Sequence, residues 1–334
     1  MFAQRKALYT RLEEMRGSKV ITYVTGDRHP WGTQIGSDVV DLFANLLDEI
    51  GDAKKISLFI YTNGGDTLAA RSIINLLRQF CKELEVIIPA KCQSAGTLMS
   101  LGANTIIMTK QATLGPIDPS INGPLNPQAQ IPGQLPQPLS VSVEEIKGYI
   151  AVAREEFGIE DGVGLAQILH SLSEKVHPLV LGRVYRAKSQ IQMLARKLLV
   201  NQVTDEATAD SIINFLCSES GSHDYTINRV EALGLGLKVE KPSEELYQLI
   251  KEIYDDIKSE LQLGQPFDAE AILGVGHSLD YQAVRCLVEA PDTCSYQFRT
   301  EMRLSRVANQ QQPGGPMNLI NNVILNEGWK NYDQ

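Results

Sequence analysis

The sequence predicts an α/β fold, a spiral of βαβ units with a mostly parallel sheet, plus a small C-terminal extension. Two observations carry the α/β reading. Between Lys19 and Met108, short apolar runs of strand length alternate with longer segments of helical periodicity. The runs themselves are apolar at nearly every position, as in strands covered on both faces. Successive parallel strands need crossover connections, and the intervening segments have that length.

The elements follow in order. Residues 3 to 16 read as an amphipathic helix carrying Leu8 and Leu12, and Lys19–Val24 as a β-rich run. Asp38–Ile50 places Val39, Val40, Leu42, Phe43, Leu46, Leu47 and Ile50 at helical spacing. Ile56–Tyr61 is a short apolar strand, and Thr67–Phe80 a helix with Leu68, Ile73, Ile74, Leu77 and Phe80 on one face. Leu84–Ile88 and Thr105–Met108 are further strands, with a helix starting at Leu98 between them. Beyond them, Val143–Phe157, Leu165–Leu172, His177–Asn201, Val203–Cys217 and Ser243–Leu261 read as helices, and Tyr225–Leu237 as turn and short helix. A strand pair is expected around Ala283–Val288 and Tyr296–Ser305, followed by a loosely structured tail from the QQQPGG run onward. Residues 115 to 142 form a Pro/Gly/Gln-rich insertion holding seven of the 15 prolines. A long irregular segment inside a compact domain is a spacer or a functional wall.

Composition narrows the function classes. The chain has 334 residues with Lys+Arg 31 and Asp+Glu 40, a net charge of −9. That balance argues against a general nucleic-acid binder, since phosphate contacts need a basic face. No run approaches the ~18 apolar residues of a membrane span, and the charged N-terminus does not read as a signal peptide. Five cysteines form no CxxC pair and five histidines no HExxH pattern, so no metal site is expected. The odd cysteine count suits a reducing, cytoplasmic setting.

Ligands of such sheets sit beyond the carboxyl ends of the strands. Two turns there draw the chemistry. Asn63-Gly64-Gly65-Asp66 follows the Ile56–Tyr61 strand and opens a helix, so its backbone can hold an oxyanion or phosphate, or simply end the strand. It lacks the Gly-Lys-Ser/Thr ending of a P-loop. Ala90–Thr97 also joins a strand to a helix, with Ser94 at the helix start and small residues behind it. A nucleophile needs that tight turn, with the Ala95 N–H aimed at the developing oxyanion. The competing reading is Ser94 as an ordinary N-cap. Adjacent parallel strands would set the two turns side by side, the outline of an acyl-transfer site.

The segments YTNGGDTLAARSIINLL, PAKCQSAGTLMSLGANTIIM and ATLGPIDP together resemble the ClpP-like serine peptidases of the crotonase fold. The resemblance covers roughly residues 18 to 240 and is nearest to the serine dehydrogenase proteinase branch, related to signal peptide peptidase A. It implies Ser94 as nucleophile and Gly65 and Ala95 as the oxyanion-hole donors. Where ClpP carries its histidine this chain has Asp118, and the Ser222–Ile227 block resembles the one that carries ClpP's aspartate, at Asp224 beside His223. The order Ser, Asp, His implied by the branch gives a triad of Ser94, Asp118 and His223, with Asp224 as the substitute orienter.

Other bases stay open. His177 precedes Pro178 at a helix start, which suits a cap as well as a base. His170 lies on an amphipathic stretch and reads as a surface or core residue, His29 reads as a loop residue, and His277 lies outside the region in which these motifs fall. The lysine-based relatives make Lys91 and Lys188 candidates, although Lys188 lies in a basic stretch from Arg183 to Lys197 that suits a solvated face. That stretch is also a possible contact for the acidic helix Ser243–Leu261 of another copy.

The leading functional expectation is an ATP-independent cytoplasmic serine endopeptidase acting on peptide or unfolded protein, with no cofactor, no metal and no Walker motif. Two alternatives are a crotonase-type acyl-CoA hydratase or isomerase and a catalytically inactive scaffold. The resemblance also implies a homo-oligomer. The expected division is a peptidase domain over residues 1 to 240, with the insertion at 115 to 142, and a C-terminal helix and accessory extension over 241 to 334.

Overall fold

We describe the protein from a computed structural model that covers residues 2–117, 119–130, 135–219, 224–308 and 318–332. The chain opens with α1 (Phe2–Arg16), β1 (Lys19–Thr25), α2 (Val40–Ile50), β2 (Ala53–Tyr61) and α3 (Thr67–Phe80). It continues through β3 (Cys81–Ile88), β4 (Lys91–Cys92), α4 (Ala95–Leu101), β5 (Thr105–Met108) and β6 (Thr113–Leu114). The insertion carries four two-residue strands: β7 (Ser120–Ile121), β8 (Gln128–Ala129), β9 (Gln137–Pro138) and β10 (Val141–Ser142). Helices α5 (Val143–Ala151), α6 (Gly162–Lys175), α7 (Pro178–Leu199) and α8 (Glu206–Asn214) follow. Then come β11 (Ile227–Asn228), α9 (Arg229–Gly234), β12 (Val239–Glu240), α10 (Glu244–Leu261) and α11 (Ala269–Leu273). Three long strands end the chain: β13 (Ser278–Glu289), β14 (Ser295–Ala308) and β15 (Asn318–Asn331).

The central sheet has eight strands in the order β12-β5-β3-β2-β1-β13-β14-β15. From β12 to β1 every pairing is parallel, and from β1 outward every pairing is antiparallel. The expected mostly parallel α/β sheet is therefore present. Alternation along each strand divides the core between two faces. Ile21, Tyr23, Ile56, Leu58, Ile60, Leu84, Val86 and Ile88 pack with α2, α3, α4, α7 and α8. Val20, Val24, Phe59, Tyr61 and Ile87 face α1 and α10 instead. Both faces are dry, which is why the strand runs are apolar throughout.

The C-terminal strands continue this sheet. β1 pairs with β13 from Thr22↔Glu289 to Thr25↔Cys286. The tail expected to be loose contains β15, paired with β14 over almost its whole length, while the QQQPGG run lies outside the described residues. The acidic helix α10 has its partner within the chain. Arg5 of α1 is fully buried and pairs with Glu289 at 2.6 Å, Glu260 at 2.6 Å and Asp256. Tyr9 donates to Glu289 at 2.7 Å. Charges taken out of water persist when each is paired in this way.

The insertion is tied down by short ladders. β7 pairs with β10 and β8 with β9. Val141 and Val143 pack on Val180 and Val184 of α7. Ser142 and Glu145 form a reciprocal cap that starts α5.

Candidate active site

Two turns meet at the carboxyl ends of β2 and β4. Thr62 N–H donates to the Lys91 carbonyl at 3.0 Å, and Gln93 N–H donates to the Thr62 carbonyl at 3.0 Å. The Thr62 hydroxyl accepts from Thr25 Oγ1 at 2.7 Å and from Gly64 N–H at 2.9 Å. One buried threonine thus joins the end of β1, the Gly-Gly turn and the segment leading to Ser94.

Ser94 has φ 51° and ψ −116°, a region costly for any residue with a β-carbon. The turn is enforced by Gly96 N–H to the Gln93 carbonyl at 2.9 Å and Leu98 N–H to the Ser94 carbonyl at 3.1 Å. A β-carbon on Gly96 would stand 2.5 Å from Thr62 Cγ2, so only glycine fits behind the turn. The Ser94 side chain caps nothing in α4, and Oγ makes no hydrogen bond among the described residues. Ser94 thus occupies the N-cap position of α4 without a side-chain capping bond.

Gly65 lies in a one-residue parallel bridge with Ile35. Ile35 N–H donates to the Gly64 carbonyl and Asp66 N–H to the Ile35 carbonyl, both at 2.8 Å. Backbone groups alternate in direction along an extended segment. The Gly65 N–H therefore points away from Ile35. Ala95 is the first residue of α4, so its N–H has no helical acceptor. Neither N–H has a partner among the described residues. Gly64 closes the arrangement, with its Cα against the Ser94 side chain and φ +110°.

The phosphate reading of the Gly-Gly turn does not hold. Asp66 Oδ1 accepts from Leu68 N–H at 2.7 Å and Ala69 N–H at 2.8 Å, so a carboxylate already fills the start of α3. Thr97, fully buried, locks the other side. Its hydroxyl lies 2.9 Å from the Cys92 carbonyl and 2.8 Å from the Gly115 carbonyl, and it accepts Gly115 N–H at 3.0 Å. This binds the Ser94 turn to the segment entering the insertion.

Among the expected bases, Asp118 and His223 lie outside the described residues, and Asp224 is exposed just after them. His177 is exposed and acts as a cap, its Nδ1 accepting Leu179 N–H at 3.2 Å before Pro178. His170 stands on α6, 3.8 Å from Glu174. His29 and His277 lend backbone carbonyls to Phe267 and Arg306. Lys91 is bound to Asp27 at 2.8 Å. Burial works against the Asp27 charge, but bonds from Lys91, Tyr61 and Gly264 outweigh it and hold its pKa below the usual carboxylate value. Lys188 lines an apolar cavity of about 450 Å³ between α5, α6 and α7. Burial, followed by neighbouring Lys147, lowers its pKa. Neither lysine bonds Ser94.

Cys92, directly behind the turn, is fully buried, and that burial pushes its thiol up to about 12. It is no rival nucleophile, since the thiolate is the reactive form. Among the described residues no cluster of three or more His, Cys, Asp or Glu is placed to hold a metal ion. No described helix is long and apolar enough to cross a membrane. Thr62, Thr97 and Ile35 escaped the sequence reading. The only signal for the threonines was their place beside the two turns, and Ile35 sits in a segment without periodicity.

A serine held at positive φ, flanked by backbone N–H groups from two turns at the ends of parallel strands, has the build of a serine acyl-transfer site. Residues 1–133 match the family described as ClpP-like SDH-type serine proteinase, in agreement with the motif resemblance over that segment. Two uncharacterized proteins of Methanocaldococcus jannaschii are 33% identical over 199 residues and 31% identical over 198 residues, each match covering 59% of this chain. The matches span 58% and 56% of those relatives' own lengths. Among solved structures, a membrane-bound stomatin-specific protease bound to a substrate peptide aligns with TM-score 0.37 at 16% identity, over 68% of this chain and 78% of that one. ClpP1 of Listeria monocytogenes aligns with TM-score 0.36 at 12% identity, over 72% and 99%.

Proposed function

We propose that the protein is a serine endopeptidase that cleaves peptide or unfolded-protein substrates through an acyl-enzyme on Ser94. The observation that carries this is the uncapped Ser94 hydroxyl at φ 51°, packed against Gly64 and near two N–H groups that have no partner among the described residues. The family match over residues 1–133 supports the same chemistry. Ser94 Oγ attacks the substrate carbonyl carbon and loses its proton to the base. The Gly65 and Ala95 N–H groups hold the oxygen that gains the negative charge, each such donor contributing about 3–4 kcal/mol to barrier lowering. Collapse expels the amine, which takes the proton from the base, and water then releases the acyl group. His223 is proposed as the base, oriented by Asp118 or, in its stead, Asp224. No step needs ATP, a metal or another cofactor. The Pro-rich insertion, anchored to the Ser94 turn through the Thr97 hydroxyl at Gly115, is proposed to wall the substrate channel, and the working form is proposed to be a cytoplasmic homo-oligomer.

Fluorophosphonate labelling tests the nucleophile. The expected result is one adduct on Ser94 of the wild type and none on Ser94→Ala, with unfolded casein cleaved only by the wild type. Absence of the adduct would favour the crotonase-type hydratase, which uses the same oxyanion donors without a nucleophile. Equal cleavage by both proteins would overturn the role of Ser94. Parallel His223→Ala, His177→Ala and Lys188→Ala variants assign the base: only the true base should remove activity while the fold is kept.

A further inference from the structure

The cavity between α5, α6 and α7, about 450 Å³, is walled by Ile146 and Ile150, Leu169 and Leu172, and Leu181 and Val184, two from each helix. Small-molecule sites of about 300–1,000 Å³ share this build of apolar walls with a few polar groups. The helix on one side is short of packing. None of the 14 residues of α6 is buried, although helices in proteins are held mainly by burial of an apolar face. Leu169 is 55% exposed. The neighbouring buried cluster of Val141, Val143, Val180 and Val184 draws on β10, α5 and α7 but not on α6. The cavity also holds a charge imbalance. Its charged lining residues are Lys147 and Lys188. Lys147 donates to Glu144 at 3.1 Å, while Lys188 has no hydrogen-bond acceptor among the described residues. Two ammonium groups thus share one carboxylate, and Lys147 works against the Lys188 charge.

We propose that this cavity binds a medium-chain fatty acid, its alkyl chain between the three helices and its carboxylate on Lys188 and Lys147. The carboxylate supplies the acceptor that Lys188 lacks, through a charge-assisted hydrogen bond. The chain fills the space against Leu169 and Leu172 and gives α6 the apolar contact it is missing. A peptide suits these walls less well. Each of its residues brings a backbone donor and acceptor, and beyond the lysines only Tyr185, Ser189 and Gln192 offer polar side-chain atoms. The Ser189 hydroxyl already donates to the Tyr185 carbonyl at 3.2 Å. An alkyl chain needs no such partners. No residue of the Ser94 turn or the Gly-Gly turn lines the cavity, so the site is independent of the Ser94 chemistry.

The test titrates the full chain with decanoate, below micelle-forming concentrations, by calorimetry. One saturable site is expected, with octanoate about fifteenfold weaker, two methylenes at about fourfold each. Decanol keeps the chain without the charge, and decylamine reverses the charge; both should bind about tenfold more weakly or worse. Lys188→Met should weaken decanoate about tenfold and leave decanol unchanged. Leu169→Asp alters a position that the fold leaves half open, so it should keep the Tm and abolish decanoate binding. Hydrogen exchange in α6 should slow when decanoate binds the wild type. Ser94→Ala should bind decanoate as the wild type does, which keeps this test separate from the cleavage assay. No saturable decanoate binding, or equal binding of decanoate and decanol, would overturn the proposal. So would a Leu169→Asp protein that still binds decanoate but no longer self-associates, an outcome that would give the cavity to a second copy of the chain.

Discussion

Gly64 faces Ser94 so closely that a β-carbon on it would stand 2.7 Å from Ser94 Cβ and 3.2 Å from Ser94 Oγ. The same atom would meet the Gln93 carbonyl at 3.0 Å, and φ is +110°. Gly64→Ala must therefore shift Ser94, the proposed nucleophile, the Gly-Gly turn or both. A loss of about 10²–10³ in kcat/KM is expected, the scale of a misplaced oxyanion donor. Peptide-cleavage kinetics beside a thermal melt check it; near wild-type turnover would show that the turn relaxes without disturbing Ser94.

Ser94 itself carries backbone strain. A residue with a β-carbon in such a region costs about 1–3 kcal/mol. Glycine releases that cost but brings about 0.5–1 kcal/mol of extra unfolded-state entropy. Strain wins in that comparison. Ser94→Gly is expected to abolish cleavage and raise stability by about 1 kcal/mol, near 2 °C in Tm for a chain of this size. A melt of both proteins decides it, and a lower Tm for the variant would mean that the turn holds no strain.

The order of strands and helices was legible because the strands from β1 to β5 are buried on both faces and their connectors keep helical spacing. The tight turn at Ser94 was legible because small residues surround it at a strand-to-helix junction. β15 was not legible: Asn321, Asn322 and Asn326 break its apolar run, and neither face is buried enough to impose a period. Lys91 entered as a candidate base through the lysine-based relatives; its bond to Asp27, 64 residues away, lies beyond the reach of motif reading. The role of Ile35 in aiming Gly65 rests on a single bridge, too short to leave a pattern.

Thr97 holds the Ser94 turn to Gly115 through a hydroxyl that is fully buried. Valine keeps the shape but leaves the Gly115 N–H without its acceptor. An unsatisfied buried donor costs about 1–3 kcal/mol. Thr97→Val should lose that much stability by urea denaturation, and its kcat should fall more than its KM rises, because Gly115 leads into Asp118. Thr97→Ser restores the hydroxyl and should recover most of both. Recovery of stability without recovery of kcat would confine Thr97 to folding.

Asp27 gives a pH-dependent signature. Its carboxylate, 5% exposed, accepts from Tyr61 at 2.6 Å, Gly264 at 2.7 Å and Lys91 at 2.8 Å. Burial opposes its charge, but these bonds prevail and lower its pKa below the unfolded value of about 3.9. A depressed carboxylate pKa stabilises fully above the unfolded value, and the gain is lost as pH falls through the folded value. Asp27→Asn should therefore cost about 1–2 kcal/mol at pH 7, toward the low end because the Lys91 side chain is 42% exposed and screened. The gap between wild type and variant should narrow below about pH 4. Urea unfolding of both proteins at pH 7 and pH 3.5 reads that gap directly, and other carboxylates cancel in the difference. A gap that is the same at both values would mean that the Asp27 bonds do not depend on its charge. Because Lys91 serves this anchor, Lys91→Met should lose similar stability while keeping kcat within about threefold, the outcome expected if the base lies elsewhere.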